Sequence, residues 1–105
     1  MDGKTTVKYL QSYIRQKDYR PELKKDYFLK LTEEVGELAN AMRKDAKAPD
    51  IAHLVGSIDE ELWDVMYYAL AIANLYDVDM EQVIKAKSKL NESRYPSPVP
   101  FEENR

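Results

Sequence analysis

The stretch ELWDVMYYALAIANLY, residues 61 to 76, leaves the chain few ways to fold. Wound as a helix at about 100° per residue, it carries Leu62, Val65, Met66, Ala69, Ile72 and Ala73 on one side. Trp63, Tyr67 and Leu70 occupy the other. A helix that is apolar nearly all round must be covered nearly all round. A chain of 105 residues has few other elements to cover it with, so a core shared with a second copy is expected. Trp63, opposite the acidic edge of this helix, is expected at that interface.

The remaining apolar residues also recur at helical spacing, with only three glycines and no short alternating runs. Helices are expected over roughly 5–18, 22–46, 57–76 and 80–93. The first carries Val7, Leu10 and Ile14 on one face, and the second Phe28, Leu31, Val35, Leu38 and Met42. Thr5 or Thr6 suits the cap of the first helix, Ser57 with Glu60 has capping-box spacing, and Asp79 can cap the last. Pro21 breaks the chain between the first two helices. DAKAPDIAHLVGS, with Pro49 and Gly56, is expected to be a loop. The ending YPSPVPFEENR holds three prolines and is expected as an extended or disordered arm, with Phe101 a candidate to dock on a neighbouring subunit. The expected fold is all-α: a four-helix protomer whose core is completed by oligomerisation. One helical domain over 1–95 is followed by an arm over 96–105.

Composition excludes several classes of function. With 44% hydrophobic and 33% charged residues the chain is globular rather than disordered. A net charge of −3 argues against a partner bound by neutralising many phosphates, so no nucleic acid is expected. Cysteine is absent, which removes disulfides and thiolate zinc sites. No apolar run approaches the roughly 18 residues of a membrane span, and no signal-peptide pattern is present, so a cytoplasmic location without membrane contact is expected.

The carboxylates are the feature that points to chemistry. In LTEEVGELAN, Glu34 and Glu37 are three residues apart on one flank of the second helix's apolar stripe, and Glu33 points further out. Glu61 and Asp64 repeat the spacing on the third helix, with Tyr68 one turn further along the same flank. If the two helices pack antiparallel, four carboxylates converge. Such a cluster is strongly unfavourable without a cation. Oxygen-only donors suit a hard ion, Mg²⁺ with Mn²⁺ as a substitute. An ion of this kind with open coordination positions is what a phosphate-bearing substrate needs.

The same residues carry a resemblance. EEVGE (Glu33, Glu34, Glu37), a gap of 23 residues and ELWD (Glu61, Asp64) resemble the paired acidic signature of the MazG-like all-α nucleoside triphosphate pyrophosphohydrolases. KLTEEVGELANAMRK (30–44) resembles the family's wording around that signature. DVDMEQVIKAKSKLNESRYP (77–96) resembles its closing helix, including the Asn91, Arg94, Tyr95, Pro96 ending of the dCTP pyrophosphatase branch. The resemblance covers residues 24 to 96.

It implies Mg²⁺-dependent hydrolysis of a nucleoside triphosphate between its α and β phosphates, by a dimer or tetramer assembled through the third helix. It implies Glu34, Glu37, Glu61 and Asp64 as metal ligands, and Glu33 or Glu34 as the group that orients or deprotonates water. Lys30, Tyr68, Lys89, Asn91 and Arg94 would be substrate contacts. AKSKLNESR departs from the commonest family pattern, so the phosphate side is less well defined than the metal side. His53, in the loop, is expected as a surface histidine. Phosphoribosyl-ATP pyrophosphohydrolase shares this fold and bond chemistry and is the nearest alternative. A di-iron carboxylate bundle would need Glu-x-x-His pairs, and neither Glu34 nor Glu61 has a histidine three residues on. A non-catalytic helical oligomerisation module is the alternative from another class, with the acidic pairs as surface charge.

Overall fold

Among the described residues, three of four α-helices begin where a short polar side chain replaces the missing preceding turn. In the computed structural model, which describes residues 3–102, Thr6 Oγ1 accepts a hydrogen bond from the Tyr9 amide at 3.0 Å and opens α1, Val7–Lys17. Ser57 Oγ accepts from the Glu60 amide at 3.1 Å and opens α3, Ile58–Leu75. Asp79 accepts from the Gln82 amide at 3.2 Å and opens α4, Met80–Arg94. Each bond satisfies one amide that the helix itself leaves unpaired. At Ser57 the capping box is shifted. The Glu60 carboxylate accepts from the Gly56 amide at 2.8 Å, made possible by the left-handed backbone of Gly56, φ 80°.

The remaining helix, α2, Lys24–Arg43, has no side-chain cap. It grows from a 3-10 turn, Pro21–Leu23, whose fixed proline φ pre-forms the entry. The loop after α2 contains a second 3-10 turn, Ile51–His53. It is tied to α3 by Asp59, which accepts from the Ala48 amide at 2.8 Å and from Lys47 Nζ at 2.7 Å. The first two residues of the expected 1–95 domain and the last three of the expected 96–105 arm lie outside the described residues.

The fold is all-α, with α3 at its centre. Ile14, Tyr27, Leu70, Ala71 and Leu75 form the buried core, and Trp63, Tyr67, Tyr68, Leu10 and Met80 pack around them. The seam between α1 and α3 also buries polar groups. Gln11 donates to Asn74 Oδ1 at 3.1 Å and to the Val78 carbonyl at 2.9 Å. Asn74 donates back to the Gln11 carbonyl at 2.9 Å. The Met80 amide donates to Gln11 Oε1 at 3.0 Å, which locks the start of α4 to α1.

The structure corrects which side of α3 is free. Trp63, expected at an interface, packs with Tyr67 on this chain's own core, ring edge to ring face at 6.0 Å. The uncovered side carries Leu62 and Met66, which are 48% and 51% exposed. On α2 the apolar stripe is divided in the same way. Tyr27 and Ala41 are buried and Leu31 and Leu38 half-buried, while Phe28, Val35 and Met42 stay exposed. Among the described residues α4 buries none of its side chains. The C-terminal arm folds back on its own chain. The Phe101 amide donates to the Glu92 carboxylate, and Val99, Pro100 and Phe101 border one hollow together with Thr6, Val7 and Ile84.

Candidate metal centre

The divided stripe of α2 puts a carboxylate into a helix seam. Glu34 is half-buried and shares the buried side of α2 with Tyr27, Leu31 and Leu38, so it faces α3 rather than water. Glu34 neighbours Asp64 and Lys30 neighbours Tyr68, so chain numbers rise on one helix as they fall on the other. The two helices are antiparallel, and the i, i+3 acidic pairs of each meet.

Glu34, Glu61 and Asp64 offer carboxylate oxygens that all lie within 4.8 Å of one another. Glu61 is the deepest, 8% exposed, and its Oε2 is buried with no hydrogen-bond partner. Burial pushes the carboxyl of Glu61 above its ordinary value, and the charges of Asp64, Glu34, Glu60 and Glu37 push the same way. Burial likewise raises Glu34, with Asp64 and Glu37 adding to it. Asp64 is raised by burial and by Glu60, against a lowering bond from Glu34. Each group resists ionisation first because it is buried, and a carboxylate held in this way is stabilised in its charged form by a cation placed beside it.

The other residues expected at a site are distributed unevenly. Glu37 is exposed and stands beside the three-carboxylate group, close enough to act on Glu34 and Glu61 through its charge. Glu33 points away and pairs with Lys30 at 3.4 Å, both well exposed. Tyr68, one turn past Asp64, is half-buried; burial raises its hydroxyl and the nearby Lys30 partly offsets this. Lys89, Asn91 and Arg94 are on α4, which packs against α1. Lys89 pairs with Glu92 at 4.0 Å, and Asn91 lines a hollow beneath the C-terminal arm. His53 is exposed, with Nδ1 2.7 Å from Asp50.

The structure also brings to the seam residues that sequence analysis did not single out. Asp18 ends α1, and its carboxylate accepts from the Tyr27 hydroxyl at 2.6 Å and from the Tyr67 hydroxyl at 2.8 Å. Burial first, then Asp18, pushes the Tyr27 hydroxyl up to about 12, so it remains a donor at neutral pH. Asp18, Arg20, Asp26, Tyr27, Lys30 and Tyr68 border an open hollow of about 170 Å³, one helical turn along the seam from the carboxylates. No periodic pattern marks Asp18, because it lies where the chain leaves α1.

Residues 23–98 match the MazG nucleotide pyrophosphohydrolase domain. The chain is also similar to crystal structures of iMazG from Vibrio DAT 722. The N-tagged form is 42% identical, with a TM-score of 0.81 over 89% of this chain and 100% of its own. A C-tagged form is 44% identical, with a TM-score of 0.80 over 84% and 99% of the two chains. No curated protein matches the sequence.

Proposed function

The chain belongs to the MazG nucleotide pyrophosphohydrolase family, and from that premise we propose a Mg²⁺-dependent enzyme that splits a nucleoside triphosphate between its α and β phosphates. The products are a nucleoside monophosphate and pyrophosphate. The observation that carries this reading is the Glu61 oxygen, buried and unpartnered between two further carboxylates. An unpaired buried carboxylate oxygen is costly, and a divalent cation removes that cost. The donor set is oxygen alone, which fits Mg²⁺ and, as a substitute, Mn²⁺.

Glu34, Glu61 and Asp64 hold the ion, with Glu37 as a further ligand at the rim. When bound, the ion neutralises triphosphate charge and polarises the phosphorus–oxygen bond. The carboxylate assigned to the attacking water is Glu34, within that group, or Glu33, on the exposed flank beside it. It takes one proton as the new oxygen–phosphorus bond forms and the bridging phosphorus–oxygen bond breaks. Lys30, beside Glu33 and Tyr68, meets phosphate charge. Tyr68 borders the nucleoside. Lys89, Asn91 and Arg94, on α4, are assigned as further phosphate or sugar contacts by the family resemblance alone.

The exposed apolar face of α2 and α3 supports a homo-oligomer. Met66→Lys should lower the mass measured by light scattering; an unchanged mass would refute this interface. The direct test of the reaction is pyrophosphate release with Mg²⁺ across the ribo- and deoxyribonucleoside triphosphates. Release from at least one, abolished by a chelator, is expected. Metal binding without release from any of them would favour a phosphoribosyl nucleotide as substrate, and absence of both would leave only an oligomerisation module.

A further inference from the structure

The hollow beside Tyr68 has a chemical character of its own. Its volume of about 170 Å³ is below the roughly 300–1,000 Å³ of pockets that enclose a drug-sized ligand. It suits one ring system rather than a whole nucleotide. It lies one turn from the carboxylates, about 6 Å along the helices, so a nucleotide with its phosphates at Glu34, Glu61 and Asp64 extends its nucleoside end toward it. Tyr27 and Tyr68 on its wall suit a flat aromatic ring better than a sugar.

The polar group on this wall with the most defined orientation is Asp18. Two tyrosine hydroxyls hold it, one on each oxygen: Tyr27 at 2.6 Å on Oδ1 and Tyr67 at 2.8 Å on Oδ2. Each carboxylate oxygen has two lone pairs, so each retains one acceptor position after the tyrosine bond. Asp18 is therefore preset as an acceptor. An acceptor held this rigidly favours a ligand that presents donors, and it repels one that presents carbonyl oxygens.

We infer that Asp18 is a specificity-determining residue that accepts a hydrogen bond from the exocyclic amino group of the substrate's base. Cytosine, adenine and guanine carry such a group. Uracil and thymine instead flank their ring N–H with two carbonyl oxygens, which would face the carboxylate unfavourably. This rests on the nucleoside triphosphate reading proposed above. It adds which end of the substrate the first helix reads, and how.

The test compares dCTP with dUTP, whose bases differ in the 4-amino against the 4-oxo group and in N3, an acceptor in cytosine and an N–H donor in uracil. kcat/KM is measured for both in the wild type, in Asp18→Asn and in Tyr27→Phe. The wild type should favour dCTP by about tenfold or more, since a site built around a donor discriminates against the analogue without it. Asp18→Asn, which keeps the size and adds a donor, should bring the ratio near one, chiefly by raising KM for dCTP while dUTP is still turned over. Tyr27→Phe removes one support of Asp18 but not the carboxylate. It should lower Tm and weaken the preference for dCTP by less than Asp18→Asn does, because the carboxylate and its Tyr67 bond remain. If both variants change the ratio equally, Asp18 acts only through folding and the inference fails. It also fails if wild-type kcat/KM is equal for the two substrates, or if Asp18→Asn alters only the ribo-to-deoxyribo ratio. A wild type that hydrolyses no nucleoside triphosphate would remove the underlying enzyme reading as well, and an active wild type with no base preference would leave that reading standing.

Discussion

Asn74 and Glu61 are both buried polar side chains of α3, 5% and 8% exposed, and their surroundings treat them in opposite ways. Asn74 faces α1 and is satisfied there. Its oxygen accepts from Gln11 and its nitrogen donates to the Gln11 carbonyl. Glu61 faces α2 and finds two more carboxylates, with one oxygen left without a partner. A satisfied buried polar group holds two helices in one register. An unsatisfied one costs stability, so its presence asks for a ligand. One helix thus supplies a structural seam on one side and, in the function proposed, a reactive seam on the other.

The largest expected effect is on the reactive seam. Asp64→Ala should lower turnover by at least about a hundredfold, because even partners of metal ligands are worth 10–100-fold. Without metal its Tm should hold or rise, since it relieves repulsion on Glu61 and Glu34. Turnover above about a tenth of wild type would contradict the assignment of Asp64 as a ligand.

The structural seam should answer in the opposite sense. Asn74→Ala leaves Gln11 groups unpaired in the interior and should cost about 1–3 kcal/mol. It should leave kcat of the folded fraction nearly unchanged. Urea unfolding and assays at saturating substrate separate the two quantities, and a loss of kcat without a loss of stability would erase the distinction drawn between the seams.

The smallest effect is a dependence on pH. The carboxyls of Glu34, Glu61 and Asp64 are raised in the folded chain, mainly by burial. Their contribution to stability is therefore complete below the ordinary carboxylate values and is lost as pH rises through the raised ones. From these groups, metal-free Tm should fall from acid toward neutral pH. Mg²⁺ should raise Tm most at neutral pH, and its effect should fade in acid, where protons compete for the same oxygens. Melts with and without Mg²⁺ across that range check this, and a gain independent of pH would place Mg²⁺ elsewhere.

Much of the fold was legible because its signals are local. Thr6, Ser57 and Asp79 cap helices within three residues of themselves, and Pro21 separates α1 from α2 by its own backbone restriction. The carboxylate pairs were legible for the same reason, since residues three apart on a helix are neighbours whatever surrounds them. What sequence alone could not supply is the rotation of each helix about its axis. α2 has two apolar faces, one with Tyr27 and Ala41 and one with Phe28 and Met42; averaging them placed Glu34 on a flank, whereas packing turned it into the seam. The same ambiguity assigned Trp63 to an interface and did not distinguish Leu62 and Met66 from the apolar residues of α3 that the fold covers.

The amino-acid sequence by itself determined four helices, their approximate extents and two acidic pairs, because each depends on geometry within a few residues. Only the tertiary structure decided which apolar faces are covered, that Glu61 is left with an unpaired oxygen, and that Asp18 meets Tyr27 and Tyr67 beside Tyr68. Asp18 and Tyr67 are 49 positions apart in the chain. Contacts at such a separation follow from the free energy of packing whole helices together, which no short window of sequence contains.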